Sequence, residues 1–128
     1  MNELPPATAA AATAAEAVRT LNHLTMSPAS TDLGDLYAAV GQLQVLAERL
    51  PQALDQCADV LERPARGVEY GVDTGDDPDD VIGDAVIALR AGADRAHDLA
   101  RRLADAQRAI GHLCIARELT AVDAESGE

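Results

Sequence analysis

The chain of 128 residues contains no phenylalanine, tryptophan or lysine, and its only aromatic residues are Tyr37 and Tyr70. A core must therefore be built from aliphatic side chains, yet Leu, Ile and Val together number only 28. Alanine occupies 27 positions; it has the highest helix propensity and is depleted in strands. These properties exclude an aromatic core and predict one all-α domain with a thin, regular core.

The sequence also lacks the motifs of catalysis and metal binding. The three histidines do not share one helical face, and no pair of cysteines has the C-x-x-C spacing of zinc sites. There is no G-x-S-x-G element, glycine-rich phosphate loop or H-E-x-x-H motif. We therefore expect no enzyme activity, no cofactor and no metal. A ligand or enzymatic role in a cavity is the weakest hypothesis, because aromatic lining is scarce.

The two cysteines, Cys57 and Cys114, are interpreted as small buried apolar side chains. In an antiparallel helical hairpin they would lie about 40 Å apart at 1.5 Å per residue. A disulfide needs α-carbons within about 7 Å. We therefore predict no bond between them.

The charge is strongly acidic: 22 acidic and 10 basic residues give a formal net charge of −12. A nucleic-acid-binding domain normally presents a basic surface, so direct binding of DNA or RNA is not expected. A membrane-spanning helix needs about 20 apolar residues, and the longest uninterrupted apolar run in the second half is Ala85–Leu89. The N-terminal segment has no early basic residue of the kind that signal peptides carry. These features predict a cytoplasmic protein without a membrane segment.

Apolar periodicity and capping residues predict three helices, at about residues 7–25, 31–62 and 78–119. Residues 1–6 form a flexible lead, residues 63–77 an acidic connection, and residues 120–128 a frayed acidic tail. Pro51 is expected to kink the second helix, or alternatively to split it, because it removes one backbone hydrogen bond. Asp77 before Pro78 is a strong helix start, since aspartate caps and proline suits the first helical position.

The second and third helices each carry a seam of residues with alternating steps of three and four, as in a coiled coil. In the second helix the seam is Leu33, Leu36, Val40, Leu43, Ala47, Leu50, Leu54, Cys57 and Leu61. In the third it is Ile82, Ala85, Leu89, Gly92, Ala96, Leu99, Leu103, Ala106, Ile110 and Leu113. A turn centred near residue 71 would place Leu54 opposite Leu89. The predicted fold is a three-helix bundle built on this long antiparallel hairpin, with a shorter Ala-rich N-terminal helix.

The first helix is too short to cover the whole hairpin, so the half nearest the connection is expected to leave its seam exposed. Exposed apolar stripes of this kind usually mark an interface. The predicted partner interface consists of Leu50, Leu54, Cys57, Leu61, Ile82 and Leu89. The sequence therefore favours a helical interaction or adaptor protein that forms a homodimer or binds a protein partner. No small-molecule substrate is indicated.

A second hypothesis rests on the acidic patch of the connection, formed by Asp73, Asp76, Asp77, Asp79 and Asp80. Its spacing does not fit an EF-hand, because Gly75 and Pro78 fall at positions 3 and 6 of the loop. The patch could make the chain an acidic decoy or inhibitor of a basic, nucleic-acid-binding protein. Counting the charges of the sequence, residues 31–62 carry −5 and residues 85–117 carry +3, which favours docking of the second helix on the third.

Overall fold

A computed structural model describes residues 3–117, and the regular secondary structure in this range is entirely helical. Three α-helices follow one another: α1 (Pro6–Leu24), α2 (Leu33–Glu62) and α3 (Pro78–Ile110), with a 3₁₀ turn at Pro28–Ser30 between the first two. The all-α prediction is confirmed. The fold divides into two compact units between Leu36 and Tyr37.

The first unit contains α1, whose ends follow from its flanking residues. Pro6 occupies the first turn, and the N–H of Ala9 donates to the carbonyl of Pro5 at 2.8 Å. At the other end both the N–H and the hydroxyl of Thr25 donate to the carbonyl of Leu21, at 3.0 and 2.9 Å. No residue of α1 is buried. Its helical state therefore depends largely on the propensity of its many alanines.

Helix α2 begins next to Asp32, whose carboxylate accepts a hydrogen bond from the N–H of Asp35 at 2.7 Å. It continues without a break to Glu62, with Pro51 inside it. The alternative in which Pro51 splits this segment into two helices does not occur. Pro51 is buried, so its ring contributes apolar area to the core at the position where it removes one backbone donor.

Helix α3 starts at the predicted residue and ends earlier than predicted. The carboxylate of Asp77 accepts from the N–H of Asp79 at 2.9 Å, and Pro78 follows the cap directly. The helix ends at Ile110, nine residues before the predicted end, and residues 111–117 are not helical. Glycine favours termination because it loses more backbone entropy than other residues in a helix, and Gly111 stands at this end. Residues 118–119 of the predicted helix and the predicted tail at 120–128 lie outside the described residues.

Contacts along their length show that α2 and α3 pack in antiparallel directions. At one end the side-chain amide of Gln107 donates to the carbonyl of Tyr37 at 3.3 Å. Further along, Cδ1 of Leu54 lies 3.4 Å from the position that a Cβ on Gly92 would take. Leu54 is predicted to face Leu89; its Cδ1 reaches Gly92, three residues further along the same face of α3.

The buried residues of the α2–α3 pair are small. They are Ala47, Pro51 and Ala58 on α2, and Val86, Ala93, Ala96 and Ala100 on α3. Alanine rows allow two helix axes to approach to about 8 Å, the lower end of the usual range. The larger side chains at neighbouring positions cannot fit between backbones at that distance, so they lie beside the contact. Among the described residues, no leucine, isoleucine, methionine or tyrosine is buried.

Two glycines on these helices should respond differently to alanine substitution. Gly83→Ala is expected to stabilise the fold by about 1 kcal/mol through helix propensity, because no atom lies within 4 Å of the new Cβ. Gly41→Ala should gain less, because its Cβ would clash with Nε2 of Gln107 and displace the amide that bonds to Tyr37. Urea unfolding at one protein concentration measures both effects. Equal gains for the two variants would show that Gln107 does not constrain the helix pair.

Candidate functional site

One side of the α2–α3 pair carries two rows of mainly apolar residues, which we call the apolar flank. On α2 it consists of Leu43, Leu46, Leu50, Cys57 and Val60, and on α3 of Val81, Ala85, Ala88, Gly92 and Leu99. Within each set the residues are spaced by three, four or seven, so each set forms one row along its helix.

Both rows lie on the same side of the helix pair. Residues 50 and 57 immediately precede the buried residues 51 and 58, and residues 85, 92 and 99 immediately precede 86, 93 and 100. One residue corresponds to a rotation of about 100° in a helix with 3.6 residues per turn. Each row is therefore turned by about 100° from the buried row of its own helix. Because the helices run in opposite directions, this turn brings both rows to the same side of the helix pair. The two rows therefore form a single surface two helices wide.

The larger side chains of the apolar flank are accessible to solvent. Val60 is 61% exposed and Leu99 is 48% exposed, while Leu43, Leu46 and Leu50 are half-buried. Arg95 lies within the α3 row, three residues after Gly92 and four before Leu99, and Arg102 continues the row three residues beyond Leu99. Neither arginine forms an ion pair within residues 3–117. Their methylene stems can cover apolar area while the guanidinium groups stay in water.

The six residues of the predicted partner interface occupy three different environments. Leu50 and Cys57 belong to the apolar flank. Leu54 and Leu89 are half-buried on the rows shared by α2 and α3, and Leu54 lies next to Gly92. Leu61 and Ile82 line an open depression at the connection. Whether the six contact a partner stays a prediction, but the structure does not place them on one surface.

The prediction that both cysteines are buried is wrong, because Cys57 and Cys114 are exposed free thiols. In α2 the buried position is taken by Ala58, which turns Cys57 onto the apolar flank. Cys114 follows the end of α3 and is not part of a helix. For Cys57 the interpretation failed because it assigned the buried seam position of α2 to Cys57 and not to the smaller, adjacent Ala58.

Arg90 of α3 joins three carboxylates of α2 on the side away from the apolar flank. Its guanidinium lies 3.4 Å from Asp55 and 3.0 Å from Asp59, and it also hydrogen-bonds Glu62. Hydrogen bonds to Glu62 and then to Asp59 raise the pKa of Arg90 above its usual value. All four side chains are 40% exposed or more, so solvent screens the cluster. It holds the two helices in register and has the character of a structural contact.

Replacing Arg90 should weaken the fold more than replacing an arginine paired within its own helix. Arg90→Met is expected to lower the Tm, because it leaves three carboxylates of α2 without their cation. Arg101→Met is the matched control, since Arg101 pairs only with Asp98 three residues earlier. Thermal unfolding followed by circular dichroism measures both. Equal losses would contradict a register-setting role for Arg90.

The salt dependence of the stability tests the contribution of Arg90 better than the pH dependence does. A raised pKa means that the contribution of Arg90 is complete below its unfolded pKa and is lost only as the pH rises through the still higher folded pKa. The arginine therefore stays charged throughout the neutral range. Added salt should instead reduce the difference between wild type and Arg90→Met, because it screens exposed charges.

The acidic patch is exposed, and two of its residues accept local hydrogen bonds. Asp77 caps α3, and Asp76 accepts a hydrogen bond from the hydroxyl of Thr74 at 2.7 Å. Among residues 3–117, no group of three His, Cys, Asp or Glu side chains is arranged to hold a metal ion. Asp73, Asp79 and Asp80 are exposed, and none of them forms an ion pair within residues 3–117.

The connection also folds back on the helix ends and forms a depression of about 410 Å³. Leu61, Val68, Tyr70 and Ile82 contribute apolar area to it, and Glu62, Glu69, Asp77 and Asp79 also line it. The hydroxyl of Tyr70 donates to the carbonyl of Val60 at 3.5 Å. The connection therefore covers part of the helix ends that the sequence interpretation left exposed.

Two candidate surfaces thus emerge: the apolar flank of α2 and α3, and the acidic patch of the connection. In the part of the chain that the structure describes, no helix combines the length and apolar content that a bilayer span requires. Comparison of the chain with protein-family models, with curated proteins and with solved structures produced no match.

Proposed function

We propose that this chain is a non-enzymatic helical interaction protein that binds itself or a protein partner through the apolar flank. One observation carries the proposal: the α2–α3 pair buries alanine, proline and valine, while the leucines beside them remain accessible. A surface of this kind on a helical pair is typical of an interaction site.

The energetics of the fold support this proposal. Complete burial of a leucine or valine side chain contributes about 1.5–3 kcal/mol relative to full exposure. Val60 and Leu99 are about half exposed or more, and the three leucines of the flank on α2 are only half-buried. Covering the flank would therefore add several kcal/mol, by the same estimate. Single domains are stable by only about 5–15 kcal/mol, so this gain would be substantial.

The non-enzymatic part of the proposal is supported by the sequence and by the chemistry of the Arg90 cluster. The chain lacks the nucleophile and phosphate-binding motifs considered above. Arg90 and its three carboxylates connect two helices, and an arginine of raised pKa is a poor proton donor near neutral pH. The three-helix bundle and the cytoplasmic location stay predictions.

A photo-reactive amino acid placed at position 99 in the source cells tests the proposal. Leu99 lies on the apolar flank, whereas Ile87 is 69% exposed and lies away from it. We expect a cross-linked protein product from position 99 and none from position 87. Absence of any product at position 99, or equal products at both positions, would contradict the proposal.

The alternative function, an acidic decoy for a basic protein, is favoured by one specific observation. Asp73, Asp76, Asp79 and Asp80 are exposed, and residues 63–84 carry a charge of −5. A poly-arginine peptide is a suitable probe, and its affinity should fall steeply with salt if charge dominates binding. Exchanging those four aspartates for asparagine, with Asp77 kept as the helix cap, should abolish it. Binding that is insensitive to salt would exclude the decoy.

A further inference from the structure

We propose that the acidic segment 118–128 of this chain folds back onto its own apolar flank and competes there with the partner. This inference rests on the proposed function, because it concerns the same surface. It follows from two arginines of the flank that form no ion pair, from the charge and apolar spacing of the segment, and from the position where α3 ends.

One half of the apolar flank combines leucines of α2 with arginines of α3. Leu54 lies next to Gly92, and Gln107 bonds to the carbonyl of Tyr37. These contacts define the levels of the antiparallel pair. The half of the flank farther from the connection therefore has an apolar edge on α2 and a basic edge on α3. It consists of Leu43, Leu46 and Leu50 opposite Arg95, Leu99 and Arg102.

The two arginines of this half are exposed, and neither forms an ion pair within residues 3–117. The acids nearest to Arg102 along α3 pair with other residues, since Asp98 bonds to Arg101 and Asp105 bonds to Arg108. Arg95 and Arg102 are seven residues apart, about 10 Å along the helix. This surface therefore fits an occupant that carries apolar residues and two acids at the same spacing.

The segment 118–128, which lies outside the described residues, has this composition. It contains four acids and no basic residue, so it carries a charge of −4. Glu118 and Glu125 are seven residues apart, as the two arginines are, and Leu119 and Val122 lie between them. Residues three and seven apart share one side of a helix. Two helical turns of this segment would therefore present an apolar face with two acids beside it.

The handedness of the helix determines the direction of docking. With Leu119 and Val122 facing the leucines of α2, the two acids turn toward the arginines of α3 only if the segment runs antiparallel to α3. In the parallel direction the acids would turn toward α2, because the sense of rotation seen from one end reverses with the direction of the helix. In the antiparallel arrangement, the first acid of the segment meets Arg102 and the second meets Arg95.

The end of α3 gives the segment the reach that this docking needs. Hydrogen bonds of 3.1 and 2.9 Å close a turn there, and residues 111–117 are not helical. Arg102 lies eight residues before Ile110, about 12 Å along the helix. Seven extended residues span up to about 23 Å. The chain after Ile110 is therefore long enough to reverse its direction and bring residue 118 to the level of Arg102.

The docked segment would cover only part of the apolar flank. As a helix, residues 118–125 extend over about 10 Å, so Cys57 and Val60 near the connection stay uncovered. A segment in the same chain has a high effective concentration, and it competes with any partner that contacts Leu99. The wild-type chain therefore still self-associates, but more weakly than a chain whose segment cannot dock.

A photo-reactive amino acid at position 99 of the purified full-length chain tests the docking. The protein is kept well below micromolar concentration, so that cross-links form within single chains. Trypsin cleaves after arginine, so it releases residues 118–128 as one peptide and position 99 within the peptide 96–101. We expect mass spectrometry of the monomer to find these two peptides joined. Position 87 is the control, because Ile87 is exposed away from the flank, and it should give no link to residues 118–128.

Exchange of the flank arginines tests the role of charge. Arg95→Gln together with Arg102→Gln should lower the yield of the joined peptides by about fivefold, as should salt at about 1 M, where the Debye length is about 3 Å. Arg101→Gln together with Arg108→Gln is the matched control, because it removes the same charge from pairs within α3. Circular dichroism checks that both variants stay folded. Equal yields from the two variants, or no joined peptides at position 99, would overturn the inference.

A variant that conserves charge separates this inference from the proposed function. Leu119→Ser together with Val122→Ser removes the apolar residues of the segment and should lower the Kd of self-association by about fivefold in sedimentation equilibrium. If this variant associates no more tightly than an associating wild type, the inference is wrong and the proposed function stands. If the joined peptides form, yet the chain binds neither itself nor another protein, the proposed function is wrong and the docking stands.

Discussion

Ala96→Leu is expected to destabilise the α2–α3 pair by about 2–3 kcal/mol. Ala96 is 6% exposed and belongs to the row of small residues that α3 turns toward α2. A leucine there must separate two backbones that alanine holds close together, and overpacking of this kind typically costs about 1–3 kcal/mol. For a domain of this size, a loss of 1 kcal/mol lowers the Tm by several degrees.

Ala91→Leu provides the matched control, because Ala91 lies on the same helix and is exposed. The same change at this surface position should alter stability by no more than about 0.5 kcal/mol. Urea unfolding followed by far-UV circular dichroism gives both values. If the two variants had the same midpoint, close packing of α2 on α3 through alanine would be refuted.

Leu99→Asp is expected to weaken self-association by about 30- to 1,000-fold. Replacing a large apolar residue that an interface buries commonly costs about 2–4 kcal/mol at its strongest positions, and each 1.4 kcal/mol is a factor of ten in Kd. An aspartate adds the cost of burying a charge without a partner. Because Leu99 is 48% exposed in the single chain, the helices should remain folded, and circular dichroism provides that check.

Ile87→Asp is the corresponding control for association. Ile87 is 69% exposed and lies on the face of α3 opposite the apolar flank, so the same charge should leave the Kd within about twofold. Sedimentation equilibrium on both variants measures the difference. Equal weakening at the two positions would point to a general effect of charge and would remove the apolar flank as the interface.

The helices were predictable because their signals are local. Asp77 and Pro78 mark the start of α3 through cap chemistry that involves only neighbouring residues. The end of α3 was not predictable in the same way, since Leu113 continues the apolar spacing three residues after Ile110. Gly111 ends the helix where the periodicity alone would extend it.

The choice of buried row could not be made from periodicity. Residues 50 and 51, like residues 57 and 58, both continue the alternation of three and four, and hydrophobicity favours Leu50 and Cys57 over Pro51 and Ala58. The structure buries the smaller row, because close approach of two backbones gains contacts along the whole helix pair. Burial of the smaller row leaves Cys57 exposed and places Leu99 on the apolar flank.

Side-chain pairing across the two helices could be predicted only in part. The opposite charges of the second and third helices indicated that they dock. They did not indicate that Arg90 reaches Asp55, Asp59 and Glu62 together. Such contacts join residues about 30 positions apart, and only the folded geometry selects them.

Static light scattering of the purified wild-type chain, over about two decades of concentration around micromolar, tests the central claim most directly. The account predicts that the mass rises from 13.3 kDa toward twice that value, and that Leu99→Asp stays at the lower mass throughout. A wild-type chain that remains at 13.3 kDa over the whole range would contradict self-association through the apolar flank.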